Sequence, residues 1–280
     1  MPYSPDDPVV SPEWLLAHLN DPALLIIDCR FDLFRPEWGR EAYRQGHIPG
    51  AHFVDLETEL AAPRQRPGGR HPLPDPGRFG ETMRRLGLSE DRRVVAYDQE
   101  GQGAARLWWL LQYFGHPAAW VLDGGWPAWL AMGGPVTQDV PPTPLPGRFQ
   151  PTPDPSLVAD HAEVLARAQW CCLIDARSPE RYRGEEDPLD QPAGHIPGAV
   201  NLTWSRFLDQ GRYKPPEVLR QEFGSLFSPD REVVVYCGSG VSACVDVIGL
   251  RRMGLSPRLY PGSWSDWISR PGLPIAKGAE

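Results

Sequence analysis

The chain states its architecture twice. Leu24-Leu25-Ile26-Ile27-Asp28-Cys29-Arg30 and Cys172-Leu173-Ile174-Asp175-Ala176-Arg177 are short apolar runs, each ending in Asp-X-Arg. A Gly-His-Ile-Pro-Gly-Ala segment follows each, with an Asp-to-His spacing of 19 residues in one case and 20 in the other. A second apolar run then leads into Asp98 in the first copy and into Cys237 in the second. Gly-rich aromatic turns close both: Asp123-Gly124-Gly125-Trp126 and Pro261-Gly262-Ser263-Trp264. Asp98 precedes Trp126 by 28 residues, and Cys237 precedes Trp264 by 27. Four signals in one order at matching separations describe two copies of one unit. Inside each copy the apolar runs alternate with helical patterns, Trp14 to Leu19 and 104–114 in the first, 157–168 and 243–253 in the second. That alternation predicts tandem α/β domains, each a mostly parallel sheet flanked by helices.

The length of 280 residues suits two domains, and the boundaries read as 1–140, a Pro-rich linker over 141–156, and 157–280. Seven prolines between Val140 and Pro155 exclude regular secondary structure and favour a stiff connector, with Phe149 available to pin it to a domain surface. The stretch 61–79 has three glycines, five prolines and no counterpart of comparable length in the second copy, so it is expected to be a long ordered loop, of a kind that often helps build an interdomain site. With a net charge of −8, broad nucleic-acid or anionic-membrane surfaces are not expected. The first seven residues carry neither a basic stretch nor an apolar core, and no run is long enough for a membrane helix. Five cysteines lack metal or framework spacing, which suits a reducing compartment; a soluble cytoplasmic protein without bound metal is expected.

Cys237 carries the chemistry. Val233-Val234-Val235-Tyr236 reads as a buried strand that delivers it onto Gly238-Ser239-Gly240-Val241-Ser242, ahead of a helix from about Ser242 to Arg252. Glycines let successive N–H groups turn inward, and the helix adds its positive end; together they favour a thiolate and an anion bound to it. Packing alone explains Cys171, Cys172 and Cys244, but leaves the Gly-Ser-Gly turn at Cys237 unexplained. His47 and His195 occupy equivalent turns in both copies and read as architectural, as does Arg177 after Asp175.

With these motifs in view, nearly the whole chain resembles the two-domain rhodanese family of sulfurtransferases. The resemblance implies a catalytically silent first domain, where Asp98 replaces the nucleophile, and a persulfide-forming Cys237 cradled by Gly238, Ser239, Gly240, Val241 and Ser242. The neutral loop is similar to the 3-mercaptopyruvate type rather than to thiosulfate-specific members, whose loops carry basic side chains after the cysteine. Arg181 corresponds to the substrate-binding arginine. A second arginine usual in mercaptopyruvate enzymes is replaced by Asp190, so Arg183 is an alternative clamp. Ser239, His71 and Glu57 correspond to a serine–histidine–acid relay spanning the domains, with Asp55 a weaker choice of acid, and Trp264 is placed to wall the pocket.

The implied reaction is a double displacement. Sulfane sulfur passes from a small donor to Cys237 and then to a thiol such as thioredoxin or a low-molecular-weight thiol, or to cyanide, with no organic cofactor. Thiosulfate is the rival donor. A cysteine phosphatase would need an arginine where Ala243 stands, and a pure binding module would have no use for Cys237 in the copy whose twin lacks it.

Overall fold

A computed structural model describes residues 7–167, 171–228 and 230–279. The first six residues and Ala168, the expected end of one helix, lie outside them. The chain forms two compact units. Of the described residues, the first comprises those up to Ala62, Leu73–Asp154 and Gln210–Arg212; the second comprises Pro63–Pro72, those from Pro155 to Asp209 and those from Tyr213 onward.

The first unit holds β1 (Val9–Val10), α1 (Pro12–Ala17), β2 (Leu24–Asp28), α2 (Trp38–Gln45), β3 (His52–Phe53), α3 (Pro76–Arg85), β4 (Arg93–Tyr97), α4 (Gln102–Tyr113), β5 (Ala119–Leu122) and α5 (Gly125–Ala131). Its sheet runs β1-β5-β4-β2-β3, every pair parallel. All five residues of β2 are buried, as expected of a parallel strand covered by helices on both faces. Asp75 caps α3 by accepting from the Arg78 N–H at 3.1 Å, and Pro76 occupies the first turn, where a missing N–H costs nothing.

The second unit holds α6 (His161–Arg167), β6 (Cys172–Asp175), α7 (Pro179–Arg183), β7 (Val200–Asn201), the short strand β8 (Leu208–Asp209), α8 (Pro216–Phe223), β10 (Val233–Tyr236), α9 (Ala243–Arg252), β11 (Arg258–Leu259) and α10 (Ser263–Trp267); of β9 (Arg212–Tyr213), which pairs with β8, Tyr213 belongs to this unit and Arg212 to the first. Its main sheet runs β11-β10-β6-β7, again parallel. A single parallel bridge from Val158 to Leu259 stands where β1 lies in the first unit.

The repeated motifs do the same work in both units. Arg30 and Arg177 lie over the rings of Trp126 and Trp264 at 4.5 and 4.8 Å. Each pairs with the aspartate two residues earlier at 2.6 Å and donates to a carbonyl, Gly46 or Gly194. The Nδ1 atoms of His47 and His195 each meet a tyrosine carbonyl at 2.8 Å, and each ring stacks on that same tyrosine. These histidines are buried and architectural.

Two expectations change. The stretch 61–79 is not one loop: Pro63–Pro72 belongs to the second unit, and α3 begins at Pro76. The helix expected over 157–168 starts only at His161, after a single 3-10 turn at Pro155–Leu157. The Pro-rich connector has no regular structure before Pro155, and through Asp154 it packs with the first unit. Phe149 is buried there against Phe79 and His116.

Candidate active site

Strand β10 ends at Tyr236 and places Cys237 at the mouth of a tight loop before α9. The loop is bolted to the turn preceding α10. Trp264 N–H donates to the Cys237 carbonyl at 3.0 Å, Ser265 N–H to the Gly238 carbonyl at 2.9 Å, and Cys237 N–H to Ser263 Oγ at 3.1 Å. Gly240 has φ +77°, and a Cβ there would lie 2.4 Å from the Pro261 carbonyl oxygen, so only glycine fits.

The Cys237 side chain is 1% exposed, and Gly240 N–H donates to its Sγ at 3.1 Å. Burial by itself would push the thiol up; the Ser242 hydroxyl and the N–H groups of Ala243, Ser239 and Gly240 outweigh burial and hold it below the ordinary cysteine value. Ala243 extends the donor set one residue beyond the expected cradle, while the Val241 side chain is buried. The other four cysteines are also buried and form no disulfide, and burial raises Cys29, Cys171 and Cys172.

Ser239, beside Cys237, meets His71 Nδ1 through its Oγ at 2.7 Å, and both residues are buried. His71 arrives on Pro63–Pro72, a strap fastened by Gly68 N–H to Ser269 Oγ at 2.8 Å and by Arg70 N–H to Ser265 Oγ at 3.0 Å. Gly69 makes that seat possible, because a Cβ on it would come within 2.7 Å of the Gly262 carbonyl oxygen.

Arg181 sits on α7 with Nη2 3.0 Å from Asp190 Oδ2 and Nε 3.2 Å from Asp187 Oδ1. Arg70 pairs with the other Asp190 oxygen. Asp187 also meets Arg177 at 3.3 Å, and its Oδ1 accepts from the Asp190 N–H.

Of the other expected residues, Arg183 and Trp264 take different places. Arg183 is not a clamp at the loop: it pairs with Glu185 at 2.7 Å and with Glu180 at 3.6 Å, carboxylates of its own short segment. Trp264 does not present its ring to the loop mouth. The ring is fully buried in the second unit's core under Arg177, and the residue serves the loop through its backbone N–H. Glu57 is exposed on the turn after β3 in the first unit. Asp55 caps that turn, accepting from Thr58 N–H and Oγ1 at 2.9 Å.

Three contributors escaped the sequence reading. Arg70 immediately precedes His71, an adjacency that was its only signal. Asp190 looked like a missing arginine, whereas it joins two present ones. Asp246 is the lone acid among the buried residues of α9, and neither of its carboxyl oxygens has a hydrogen-bond partner among the described residues. Burial, with the charges of Cys237 and Asp175, pushes its carboxyl pKa up.

In the first unit the equivalent loop is filled by its own side chain. Asp98 Oδ1 accepts from Gly101 N–H at 2.6 Å, and Oδ2 accepts from Gly103 and Ala104 at 2.6 and 3.2 Å. Trp126 N–H donates to the Asp98 carbonyl, as Trp264 does to Cys237. Burial pushes the Asp98 carboxyl up to about 7 against the pull of those N–H groups. Among the described residues no acidic, histidine or cysteine cluster could hold a metal, and no helix is long and apolar enough to cross a membrane.

The rhodanese-like domain model matches residues 11–132 and 159–270. A probable 3-mercaptopyruvate sulfurtransferase of Pseudomonas aeruginosa is 45% identical over 279 residues, covering 96% of this chain and 98% of that protein. A putative thiosulfate sulfurtransferase of Mycobacterium tuberculosis is 41% identical, covering 90% of each. Among solved structures, the 3-mercaptopyruvate sulfurtransferase from Leishmania major aligns with a TM-score of 0.84 at 28% identity, covering 98% of this chain and 78% of that one.

Proposed function

We propose that this chain, which belongs to the rhodanese-like family and is a sulfurtransferase, takes its sulfur from 3-mercaptopyruvate and carries it as a persulfide on Cys237. The observation that carries the reading is the hydrogen bond between Ser239 and His71 in a loop free of basic side chains. A hydroxyl–imidazole pair beside the thiolate suits a ketone-bearing donor that must exchange a proton, and thiosulfate has no such need.

The Cys237 thiolate attacks the donor sulfur, the carbon–sulfur bond breaks, and its electron pair leaves on the enolate of pyruvate. The proton first held by the donor sulfur passes through Ser239 and His71 to the departing carbon. Pyruvate is thereby released and an anionic persulfide remains. N–H groups around Cys237 hold its outer sulfur until a thiolate attacks it, taking the sulfur and restoring the Cys237 thiolate. Arg181 binds the donor carboxylate.

The Mycobacterium tuberculosis relative's name favours thiosulfate as a second reading. Steady-state kinetics with both donors and one thiol acceptor separates them: kcat/KM is expected to be higher for mercaptopyruvate, and a ratio favouring thiosulfate would overturn the donor assignment. Donor without acceptor should add the mass of one sulfur atom to Cys237, removable by a reductant. Cys237→Ser should lose both the adduct and turnover, and an adduct on any other cysteine would defeat the mechanism.

A further inference from the structure

We propose that Arg70 is a second carboxylate-binding residue, forming one fork with Arg181 over Gly238, and that Asp190 sets which donor charge the fork accepts. The proposal deepens the donor reading above and rests on Cys237 as the nucleophile.

Two arginines far apart in the sequence converge on one point. A Cβ built on Gly238 would lie 2.9 Å from Arg70 Nη2, and 3.1 and 3.5 Å from Arg181 Nη2 and Nη1. Both guanidiniums therefore stand over the residue that follows the nucleophile. Asp190 fixes them there by giving one oxygen to each. Its side chain is 3% exposed, and its position is held by its own N–H on Asp187. Arg70 Nε is buried with no hydrogen-bond partner among the described residues. An unsatisfied cationic donor beside the reacting cysteine is what an incoming carboxylate would relieve.

Charge decides which anion is preferred. Asp175, Arg177, Asp187, Arg181, Asp190 and Arg70 form an alternating ladder that sums to zero and ends at Gly238 on a guanidinium. A neutral ladder with free donors suits a monocarboxylate, which gains directed hydrogen bonds. It gives a dianion no surplus positive charge with which to offset its larger loss of hydration.

The test alkylates Cys237 with iodoacetate and with the uncharged iodoacetamide, the site being verified by peptide mass. Arg70→Gln is expected to lower the iodoacetate-to-iodoacetamide rate ratio about tenfold, and Arg70→Lys, which keeps the charge without the fork, to lower it less. Asp190→Asn should raise that ratio and shift kcat/KM towards thiosulfate. The inhibition constant of pyruvate, measured with whichever donor the enzyme uses, should rise about tenfold in Arg70→Gln. An unchanged alkylation ratio or an unchanged pyruvate constant in Arg70→Gln would overturn the role of Arg70. An unshifted donor ratio in Asp190→Asn would overturn that of Asp190. Because alkylation needs no sulfur donor, a wild type that prefers thiosulfate yet shows the Arg70 effect would sink the donor assignment and leave the fork standing.

Discussion

At the scale of the residue, Cys237 is a contest between desolvation and hydrogen bonding. A buried thiolate without partners is strongly disfavoured, as the raised values of Cys29, Cys171 and Cys172 show. Cys237 escapes because a serine hydroxyl and three backbone N–H groups surround its sulfur. Its pH behaviour follows. The reactive thiolate should predominate at a pH where an ordinary thiol, with a pKa of about 8.5, is still mostly protonated. The iodoacetamide rate at Cys237 should therefore rise with pH to a plateau whose midpoint lies below that value. Ser242→Ala removes the largest hydrogen-bonding contributor, and its midpoint should move up. A wild-type midpoint at or above the free-thiol value would show that burial wins.

At the scale of the element, the strap and the loop differ in how openly the sequence declares them. Strand β10, the Gly-Ser-Gly turn and α9 are legible because each rests on local rules: apolar residues for a buried strand, glycine for a left-handed turn, a helical run beyond it. Pro63–Pro72 has no periodicity, and its seat depends on Ser265, Ser269 and the Gly262 carbonyl, about two hundred residues away. Nothing local announces such a destination. Trp264 shows the opposite failure: the Gly-rich aromatic turn was visible, but whether the ring faced the loop or the core depended on Arg177 lying over it. A strap seated by a glycine is easily tested. In Gly69→Ala the new methyl would meet the Gly262 carbonyl, displacing His71 and Arg70 together. We expect kcat/KM for mercaptopyruvate to fall about ten- to a hundredfold, while the pH midpoint of Cys237 alkylation stays put because its cradle is built from other residues. A shift in that midpoint would mean the strap also shapes the thiolate's surroundings.

At the scale of the whole molecule, the two units share a sheet order, an Asp-Arg-Trp stack and a histidine turn, yet differ in the group seated on the loop. Matching spacings made the duplication visible, and Asp98 at the position that matches Cys237 was equally plain. What the sequence did not disclose is that the aspartate occupies its loop, drawing three N–H groups onto its own carboxyl oxygens. The first unit thus behaves as a socket delivered with its plug in place. An anion in solution would have to evict a tethered carboxyl group, whose effective local concentration no free ligand matches. On the proposed mechanism, the molecule should carry a single sulfur despite its doubled build. Sulfur released as thiocyanate by cyanide from donor-loaded enzyme should saturate at one equivalent per chain at any donor excess, and a second equivalent would mean that the first unit also carries cargo.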